Sequence, residues 1–402
     1  MKRLLQDITV IDFSWIGAGS YTTKLLADLG ADVIKIETST RLDSLRVARP
    51  FKDGVAGVNR SGYFADRNTS KRSITVNVKH EEGLALTKKL VAHGDLVVNN
   101  FTPGVMEKLG LGYDILKEIK PDLVFASMSM QGMAGPARNY LGYGLTIGAM
   151  TGFQHLTGLP DREPAGTGTN YPDHIPNPTH AAFAILAALR HKRHTGQGQY
   201  IDIAQTEPTL ALLGPWVMNY AVNGKIDECR GNAHPQMAPH DVYPCLGDDR
   251  WIAIAVSSDE QWSAMRKVLD LPDESRWTTL DGRINDREAL NLAIAERTRT
   301  RDAKDLMKAL QAAGVSAGTV NDARDVLRND EQLAARKHWV ELHHPEMGMC
   351  TYNAPPFRFS HAASDPSSAA PLLGEHTREI CSTVLGLSDA EIDRLASCGA
   401  LE

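Results

Sequence analysis

The sequence predicts an α/β fold, built from a large domain with a parallel sheet and a smaller α+β domain. Near the amino terminus, a buried-strand pattern at residues 8–14, a helical pattern at 20–29 and a second strand pattern at 31–37 form a βαβ unit. Two strands joined through a helix lie parallel, so this unit indicates a parallel sheet. Further strand patterns at 95–100 and 121–127 alternate with helical segments. This alternation is typical of a Rossmann-like, doubly wound sheet.

The composition changes along the chain and predicts four parts. Residues 1–205 carry the alternating pattern and are expected to form the large domain. Residues 206–224 are predicted as a linker. A strong strand pattern at 251–256, with turn-rich sequence before it and helical segments after it, indicates a small α+β domain over 225–325. Residues 326–402 hold too little apolar sequence for a core of their own, so we expect them to return to the large domain and complete it.

The overall composition argues against several classes of function. The 402 residues carry a formal net charge of −6, and no basic face dominates, which argues against nucleic acid as a partner. No apolar run approaches the ~20 residues needed to cross a bilayer, and the amino terminus lacks the apolar core of a secretion signal. The five cysteines are scattered and odd in number, so neither a disulfide frame nor a metal site is expected. We therefore expect a cytoplasmic protein without a membrane partner.

Asp173 is the candidate reactive group. It precedes a helix that is predicted to begin at Asn177 and Pro178, an N-cap and a first-turn proline, and to run through nine apolar residues at 181–189. Such a run covers every face of a helix and predicts burial. A carboxylate just before the helix lies near the positive end of its dipole, beside free backbone N–H groups. The alternative is a turn aspartate that bonds its own backbone. We interpret Asp173 as a nucleophile.

The turn after the first strand suggests a different class of enzyme. It contains Gly17-Ala18-Gly19, and Glu37 ends the second strand, as in a protein that binds a nicotinamide dinucleotide. The third glycine of that G-x-G-x-x-G motif falls at Thr22, whose Cβ obstructs close packing of the helix on the strand. A dinucleotide-binding oxidoreductase therefore stays as an unfavoured alternative.

Basic residues recur on loops near the predicted strand ends, after a segment at 41–69 that is predicted as an irregular surface loop. Each basic residue taken singly is best explained as a solvated surface charge. Together they suit a polyphosphate ligand at the edge of a doubly wound sheet. These residues are Lys71, Arg72, Lys79, Lys108 and Arg138.

Six motifs follow one another between residues 8 and 376. They are Val10-Ile-Asp-Phe, Leu29-Gly-Ala-Asp-Val-Ile-Lys-Ile-Glu37, Asn68-Thr-Ser-Lys-Arg-Ser-Ile74, Asn100-Phe-Thr-Pro-Gly104, Leu186-Ala-Ala-Leu189 with Thr195-Gly-Gln-Gly-Gln199, and Pro371-Leu-Leu-Gly-Glu-His376. In this order they resemble the class III CoA-transferases, the family of formyl-CoA transferase and carnitine CoA-transferase. The resemblance implies an α/β large domain, a small domain, and two chains threaded through one another into an interlocked homodimer.

The resemblance also implies roles for individual residues. The family's nucleophilic aspartate precedes the Leu186-Ala-Ala-Leu189 helix, and Asp173 is the matching carboxylate here. Relatives contact CoA at positions that correspond to Gly17, Ala18, Val76, Lys79, Asn100, Phe101 and Lys108. Arg41 is the nearest substitute for an arginine that often follows the Lys-Ile-Glu motif, and the basic loop residues complete the predicted CoA site. Tyr143, His234 and His240 are predicted to line the substrate side.

The same fold hosts α-methylacyl-CoA racemases, which deprotonate carbon with a histidine and an aspartate. The histidine of their Gly-His-Asp stretch corresponds here to Tyr143, between Gly142 and Gly144. An unperturbed phenol has a pKa of about 10 and is a poor base near neutral pH, which favours CoA transfer. Racemisation stays as the alternative.

The implied reaction moves CoA from an acyl-CoA thioester to a small carboxylic acid, through an acyl-aspartyl anhydride and an aspartyl-CoA thioester. Coenzyme A is then part of a substrate, and no permanently bound cofactor is expected. Backbone N–H groups near Gly17 and at the helix start are candidates to hold the developing oxyanion. The resemblance implies succinyl-CoA as a common donor, and a small mono- or dicarboxylate as the acceptor.

Overall fold

Helices and strands alternate along most of the chain. The computed structural model describes residues 3–402. The strands are β1 (Thr9–Asp12), β2 (Asp32–Glu37), β3 (Lys71–Thr75), β4 (Leu96–Asn99), β5 (Val124–Ser127), β6 (Tyr200–Asp202), β7 (His240–Pro244), β8 (Trp251–Ala255), β9 (Ser316–Thr319), β10 (Trp339–His344) and β11 (Gly348–Asn353). The α-helices are α1 (Ile16–Asp28), α2 (Gly62–Arg67), α3 (Glu81–His93), α4 (Val105–Lys108), α5 (Tyr113–Ile119), α6 (Gly144–Met150), α7 (Tyr171–His174), α8 (Pro176–Thr195), α9 (Thr206–Leu212), α10 (Gly214–Asn223), α11 (Asp259–Leu269), α12 (Leu280–Asn285), α13 (Arg287–Thr298), α14 (Ala303–Ala312), α15 (Glu331–Ala335), α16 (Thr377–Thr383) and α17 (Asp389–Ser397).

Within residues 3–402, six parallel strands form the main sheet in the order β3-β2-β1-β4-β5-β6. Val10 of β1 lies opposite Val33 of β2 on one side and Leu96 of β4 on the other. The chain extends the sheet outward from β1 in one direction and from β4 in the other. The crevice beyond the carboxyl ends of these two strands is therefore the switch point at which doubly wound sheets bind ligands. The predicted parallel sheet is confirmed.

Both faces of the main sheet carry a hydrophobic core, because successive side chains of a strand point to opposite faces. On one face Ile11 and Val97 pack with residues of α3, α16 and α17. On the other face Val10 and Val98 pack with residues of α1 and α8. Helices α1 and α8 therefore lie on the same side of the sheet, and this brings the start of each helix close to the switch point.

The carboxyl-terminal segment packs against the main sheet. Ile380 of α16 and Leu395 of α17 belong to the same core as Ile11. The Thr75 backbone N–H at the end of β3 donates a hydrogen bond to the Thr377 Oγ1 at 3.1 Å. These contacts explain how a segment with too little apolar sequence for its own core is held in place.

Contacts divide the chain into two compact units. The first comprises residues 3–154, 166–226 and 332–402, and the second comprises 155–165 and 227–331. In the second unit, β7, β8 and β9 form an antiparallel sheet that packs with α11, α13 and α14. The boundaries of independently folding domains stay a prediction. Residues 206–224, predicted as a linker, form helices α9 and α10 and group with the first unit, and residues 155–165 group with the second unit.

Helix α8 is less buried than its apolar run predicts. Ala181 and Ile185 are buried, whereas Phe183 is 76% exposed. In α10, all of whose residues are described, no residue is buried, and Tyr220 and Val222 are exposed. The isolated chain thus presents apolar helix faces to solvent. No helix among residues 3–402 is both long and apolar enough to cross a membrane.

Candidate active site

Asp173 lies on α7, a single turn that precedes α8. The residue is buried, with 1% of its surface exposed. Its Oδ1 accepts a hydrogen bond from the Gly144 N–H at 3.2 Å, and its buried Oδ2 has no hydrogen-bond partner among residues 3–402. The hydrogen bond of the side chain therefore goes to another helix rather than to its own turn. A buried polar atom without a partner is uncommon in folded proteins and calls for a specific explanation, such as a site that awaits a ligand.

The surroundings of Asp173 change its protonation. Burial raises the pKa of Asp173 from its ordinary value to about 6, while the Gly144 N–H and the Arg67 guanidinium oppose this rise because both favour the charged form. At pH 7 most of the side chain is therefore a desolvated carboxylate. A carboxylate in this state can act as a nucleophile when an electrophile is held against it.

Two glycines allow other segments to approach Asp173. Gly17 faces it, and a Cβ at that position would stand 3.0 Å from the Asp173 Cβ. Gly144 has a φ of +23°, and a Cβ there would stand 2.5 Å from the Asn170 Cβ. A side chain at either position must displace a neighbour, because protein interiors are close-packed. The glycines therefore set the distance at which the β1–α1 turn and the start of α6 approach the carboxylate.

Asp173 is one of the residues that line a cleft in the first unit. The cleft lies at the carboxyl ends of the central strands, since Gly17 follows β1, Asn100 follows β4 and Gln205 follows β6. It therefore occupies the switch point of the sheet. Its other lining residues are Ile16, Ala18, Thr102, Met130, Tyr140, Leu141, Gly142 and Tyr143.

The turn between β1 and α1 is held in a strained conformation. Ile16 has a φ of +60°, which is rare for a β-branched residue. Its backbone N–H donates to the Asp43 Oδ1 at 3.2 Å. Asp43 forms an ion pair with Lys35 at 3.1 Å, and Lys35 donates to the Ser14 carbonyl at 2.6 Å. Both charged side chains are fully buried, so they brace the turn from inside. The start of α1, where backbone N–H groups lack helical partners, borders the cleft.

Comparison with known proteins identifies the family. A sequence model of CoA-transferase family III matches residues 5–377, nearly the whole chain. The chain belongs to CoA-transferase family III. This confirms the resemblance that the six motifs indicate.

Several family III CoA-transferases are similar to this chain over its full length. A succinyl-CoA–D-citramalate CoA-transferase from Chloroflexus aurantiacus is 33% identical over 397 residues, which cover 98% of this chain and 97% of that protein. A human succinyl-CoA:glutarate CoA-transferase is 30% identical over 401 residues, which cover 99% and 90%. The crystal structure of a CAIB/BAIF family protein from Brucella suis is 34% identical and superposes with a TM-score of 0.87, covering 98% of this chain and 100% of that one. The fold of this family III CoA-transferase is therefore the CAIB/BAIF fold.

Part of the predicted CoA site gathers around Trp15, beside the cleft. The Asn100 Oδ1 accepts from the Trp15 N–H at 2.8 Å, and the Asn100 Nδ2 donates to the Trp15 carbonyl at 2.6 Å. The Phe101 ring packs edge-on against the Trp15 ring at 5.8 Å, and the Arg41 guanidinium lies 5.1 Å from the same ring. Gly17 and Ala18 line the adjoining cleft. The structure thus brings these five predicted residues to one edge of the sheet.

Lys71 does not belong to this group. Its Nζ donates to the Asp12 Oδ2 at 3.1 Å and to the Thr23 Oγ1 at 2.7 Å. It also donates to the Asn68 Oδ1 at 2.9 Å and to the Ser20 carbonyl at 2.9 Å. Burial lowers the pKa of Lys71 to about 8. The prediction that Lys71 binds a phosphate is wrong, because a buried ammonium with its three donors engaged cannot reach a ligand.

Arg72 and Val76 make contacts within the protein, and their predicted contacts with CoA stay predictions. The Arg72 guanidinium pairs with Asp32 at the amino end of β2, with Nε 2.8 Å from the carboxylate, and with Glu379 at 3.1 Å. Its charge is therefore neutralised at the edge of the sheet opposite the cleft. Val76 is buried, and its backbone N–H donates to the Glu37 carbonyl at 2.9 Å.

The other predicted residues stay predictions. Lys79, Lys108 and Arg138 are exposed, as solvated charges or phosphate ligands would be. Tyr143 lines the cleft and is 56% exposed. His234 and His240 belong to the second unit, where their rings lie 5.3 Å apart.

The structure adds a helix that the sequence analysis misses. Residues 41–69 are predicted as an irregular loop, but α2 lies within them and brings Tyr63 and Arg67 to the site. The His174 Nε2 lies 3.3 Å from the Tyr63 Oη, and the His174 Nδ1 lies 3.1 Å from an Arg67 nitrogen. A signal was present, since the Ser61 Oγ caps the helix by accepting from the Phe64 N–H.

Proposed function

We propose that this protein transfers CoA from an acyl-CoA thioester to a small carboxylic acid, with Asp173 as the nucleophile. The observation that carries the proposal is a buried carboxylate on a cleft, with one oxygen held by Gly144 and the other without a hydrogen-bond partner in the described range 3–402. The names of two relatives pair succinyl-CoA with D-citramalate and with glutarate. We therefore propose succinyl-CoA as the donor and a small carboxylate of similar size as the acceptor.

The proposed reaction proceeds in two symmetrical halves. An Asp173 oxygen attacks the thioester carbonyl, the carbon–sulfur bond breaks, and CoA leaves as a thiolate from an acyl-aspartyl anhydride. The thiolate then attacks the aspartyl carbon and releases the donor acid, which leaves an aspartyl-CoA thioester. The acceptor carboxylate attacks this thioester, and the returning thiolate attacks the acceptor acyl carbon. This forms the new acyl-CoA and restores the Asp173 carboxylate, so the steps require no metal or redox group.

The geometry supports this chemistry in two ways. The carboxylate is ionised near neutral pH, yet it is removed from water and accepts only one hydrogen bond among the residues described, so little solvation must be lost before it attacks. The start of α1 borders the same cleft, and its backbone N–H groups are suited to stabilise the oxyanion that forms on the thioester carbonyl. Binding energy from the remote part of CoA positions the thioester against Asp173.

We propose that CoA lies along the edge that carries Trp15. Arg41, which packs on the Trp15 ring, and the exposed Lys79, Lys108 and Arg138 offer positive charge to the CoA phosphates. Asn100 and Phe101 follow β4 at this edge, where the pantetheine arm must pass to reach the cleft. Tyr143, which lines the cleft, is proposed to contact the acid.

We propose that two chains interlock as a homodimer. The exposed apolar side chains of Phe183 on α8 and of Met218, Tyr220 and Val222 on α10 support this arrangement, because burying apolar surface against a partner is favourable. Sedimentation analysis of the purified protein should give twice the mass of one chain. A stable monomer with full transferase activity would contradict the proposal.

Trapping the covalent intermediate tests the function directly. The protein is incubated with succinyl-CoA and hydroxylamine, without an acceptor acid, and its peptides are analysed by mass spectrometry. Hydroxylamine attacks the activated aspartyl carbon, so we expect a hydroxamate at Asp173 in the wild type and in the exposed control variant Asp161→Asn. The Asp173→Asn variant should give no hydroxamate. A hydroxamate at another residue would refute Asp173 as the nucleophile.

A separate experiment distinguishes transfer from racemisation. A chiral 2-methylacyl-CoA is incubated with the protein in deuterated water without an acceptor. The transferase should leave the α-hydrogen in place, whereas exchange at the α-carbon would favour the racemase.

A further inference from the structure

Arg67 lies behind Asp173, at the end of α2, and is held there by aromatic rings. Its guanidinium lies 4.5 Å from the Tyr21 ring of α1 and 5.7 Å from the Tyr63 ring. Only 12% of its side chain is exposed. Arg67 also forms an ion pair with Asp66. Cation–π contacts and burial of this kind fix the position of a guanidinium. Its planar shape lets it stack on aromatic rings better than the ammonium of lysine does.

The contact between Arg67 and His174 determines which nitrogen of the histidine carries the proton. A guanidinium can only donate hydrogen bonds, so the His174 Nδ1, at 3.1 Å, must accept. The proton of the neutral ring is then on Nε2, which donates to the Tyr63 Oη at 3.3 Å. Burial lowers the pKa of His174 to about 4, and Arg67 lowers it further. His174 is therefore neutral throughout the physiological range and adds no charge beside Asp173.

We propose that Arg67 is a positioning residue for the transfer reaction: through His174 it fixes the short helix α7, and it places a buried positive charge behind Asp173. This inference rests on the proposed role of Asp173 as the nucleophile. His174 directly follows Asp173, and both of its ring nitrogens are bonded to α2. The backbone of α7 therefore cannot rotate the carboxylate out of the cleft without breaking those bonds.

The other titratable groups near α7 do not replace this charge. On α2, Asp66 is paired with Arg67, and burial raises the pKa of Tyr63, so Tyr63 stays neutral. On α1, burial likewise raises the pKa of Tyr21. Helix α6 has no titratable side chain. On the elements that follow, His180 of α8 and Glu207 of α9 are exposed. Arg67 is thus the cation that opposes the rise in the pKa of Asp173 caused by burial.

The pH dependence of the reaction separates this role from simple support of the fold. The rate of CoA transfer from succinyl-CoA to glutarate is measured between pH 5 and pH 9 for the wild type, Arg67→Met and Arg67→Lys. Removing the cation raises the pKa of Asp173, so the acidic limb of kcat/KM should move to higher pH. A shift of about one pH unit would lower the rate at pH 5 about tenfold relative to the wild type. Arg67→Lys should restore the limb, because the charge is kept, but only part of kcat, because the bond geometry to His174 is lost.

The matched control is Arg190→Met, which removes the same charge from an exposed position some four turns along α8 and should leave the limb unchanged. If Arg67→Met does not fold, Asp66→Asn removes the anion that neutralises Arg67, and the limb should move to lower pH. An unmoved limb in the folded variants would overturn the proposal. Hydroxylamine trapping distinguishes the two proposals. If the wild type forms no hydroxamate at Asp173, the proposed function fails. If the hydroxamate forms normally but the acidic limb does not move in the Arg67 variants, only the role of Arg67 fails.

Discussion

Two buried aspartates of the first unit lie in opposite environments. Asp12, at the end of β1, pairs with Lys71 and accepts from the Ser14 and Thr23 hydroxyls. Asp173, on α7, accepts from the Gly144 N–H and has one buried oxygen without a partner among the residues that the structure describes. Burial tends to raise the pKa of both. For Asp12 the charges of Lys71 and Lys35, together with the hydrogen bonds from the two hydroxyls, outweigh that effect and lower the pKa, whereas the pKa of Asp173 rises to about 6.

Burial by itself therefore does not identify a reactive carboxylate. Asp12 uses both oxygens to hold β1, α1 and β3 together, so it has no capacity left for a substrate. Asp173 keeps one oxygen available and faces a cleft. A buried carboxylate with all its hydrogen bonds made contributes to stability. A buried carboxylate with an oxygen that lacks a partner, beside a cleft, is a candidate catalytic group.

The largest expected effect is the loss of activity in Asp173→Asn. The amide keeps the size of the side chain but cannot form the anhydride, so we expect CoA transfer to fall by about a thousandfold or more. Stability should not fall, because the substitution removes a buried charge that lacks an ion-pair partner. Steady-state kinetics and urea denaturation at one protein concentration measure the two effects. A fully active variant would remove the contrast between the two aspartates.

Asp12→Asn should have the reverse outcome. The change leaves the Lys71 ammonium buried without its counter-charge, and breaking a buried pair in this way costs about 3 kcal/mol or more of the free energy of unfolding. Urea denaturation measures this loss. The control is Asp114→Asn, which breaks an exposed ion pair with Lys117 and should leave the denaturation midpoint unchanged. If the folded fraction of Asp12→Asn retains its kcat, the structural role of Asp12 is supported. Normal stability would contradict it.

The pH dependence of stability should differ in sign for the two residues. Asp173 binds its proton more tightly in the folded state, so it costs the fold up to about 3 kcal/mol as the pH rises from about 4 through 6. The free energy of unfolding of Asp173→Asn, relative to that of the wild type, should therefore be higher at pH 7 than at pH 4. Asp12 has a lowered pKa, and its contribution is present above about pH 4 and lost as the pH falls below it. Denaturation curves at pH 7 and pH 4 test the sign for Asp173, and curves at about pH 4 and about pH 2 test the sign for Asp12.

The smallest expected effect is that of Gly17→Ala. The added Cβ stands 3.0 Å from the Asp173 Cβ, so the carboxylate must shift by a few tenths of an ångström. We expect kcat to fall about tenfold, since small displacements at the reacting centre have large effects on rate. Stability should be kept, because alanine favours the helix in which residue 17 lies. The matched control is Gly214→Ala, since a Cβ at that position meets no neighbour and kcat should not change. Gly54→Ala is unsuitable because the positive φ of Gly54 would strain an alanine.

The sequence predicted those features that depend on neighbours along the chain. Strand β2 runs from Asp32 to Glu37, within the predicted range 31–37, because its apolar residues form a short run with clear ends. Asp173 was predicted from its place before the long apolar helix and from the resemblance. Helix α2 was missed, since six residues are too few to show a period, and Arg67 was missed with it. The expectation that Asp173 lies near the N-terminus of α8 omitted Gly144, the residue that bonds it from 29 positions away.

The amino-acid sequence alone was enough to predict the first βαβ unit, the parallel sheet and the family, because these depend on local pattern and on motifs in a fixed order. The tertiary structure decided which charged side chains are paired in the interior and which remain available. Lys71 and Asp12 are 59 positions apart, and their pairing depends on the way β1, α1 and β3 pack. The same packing leaves an Asp173 oxygen without a partner within residues 3–402, beside the cleft at the switch point. Hydrogen bonding is short-ranged, so a residue's chemistry is set by which distant segments the fold brings within about 3 Å of it.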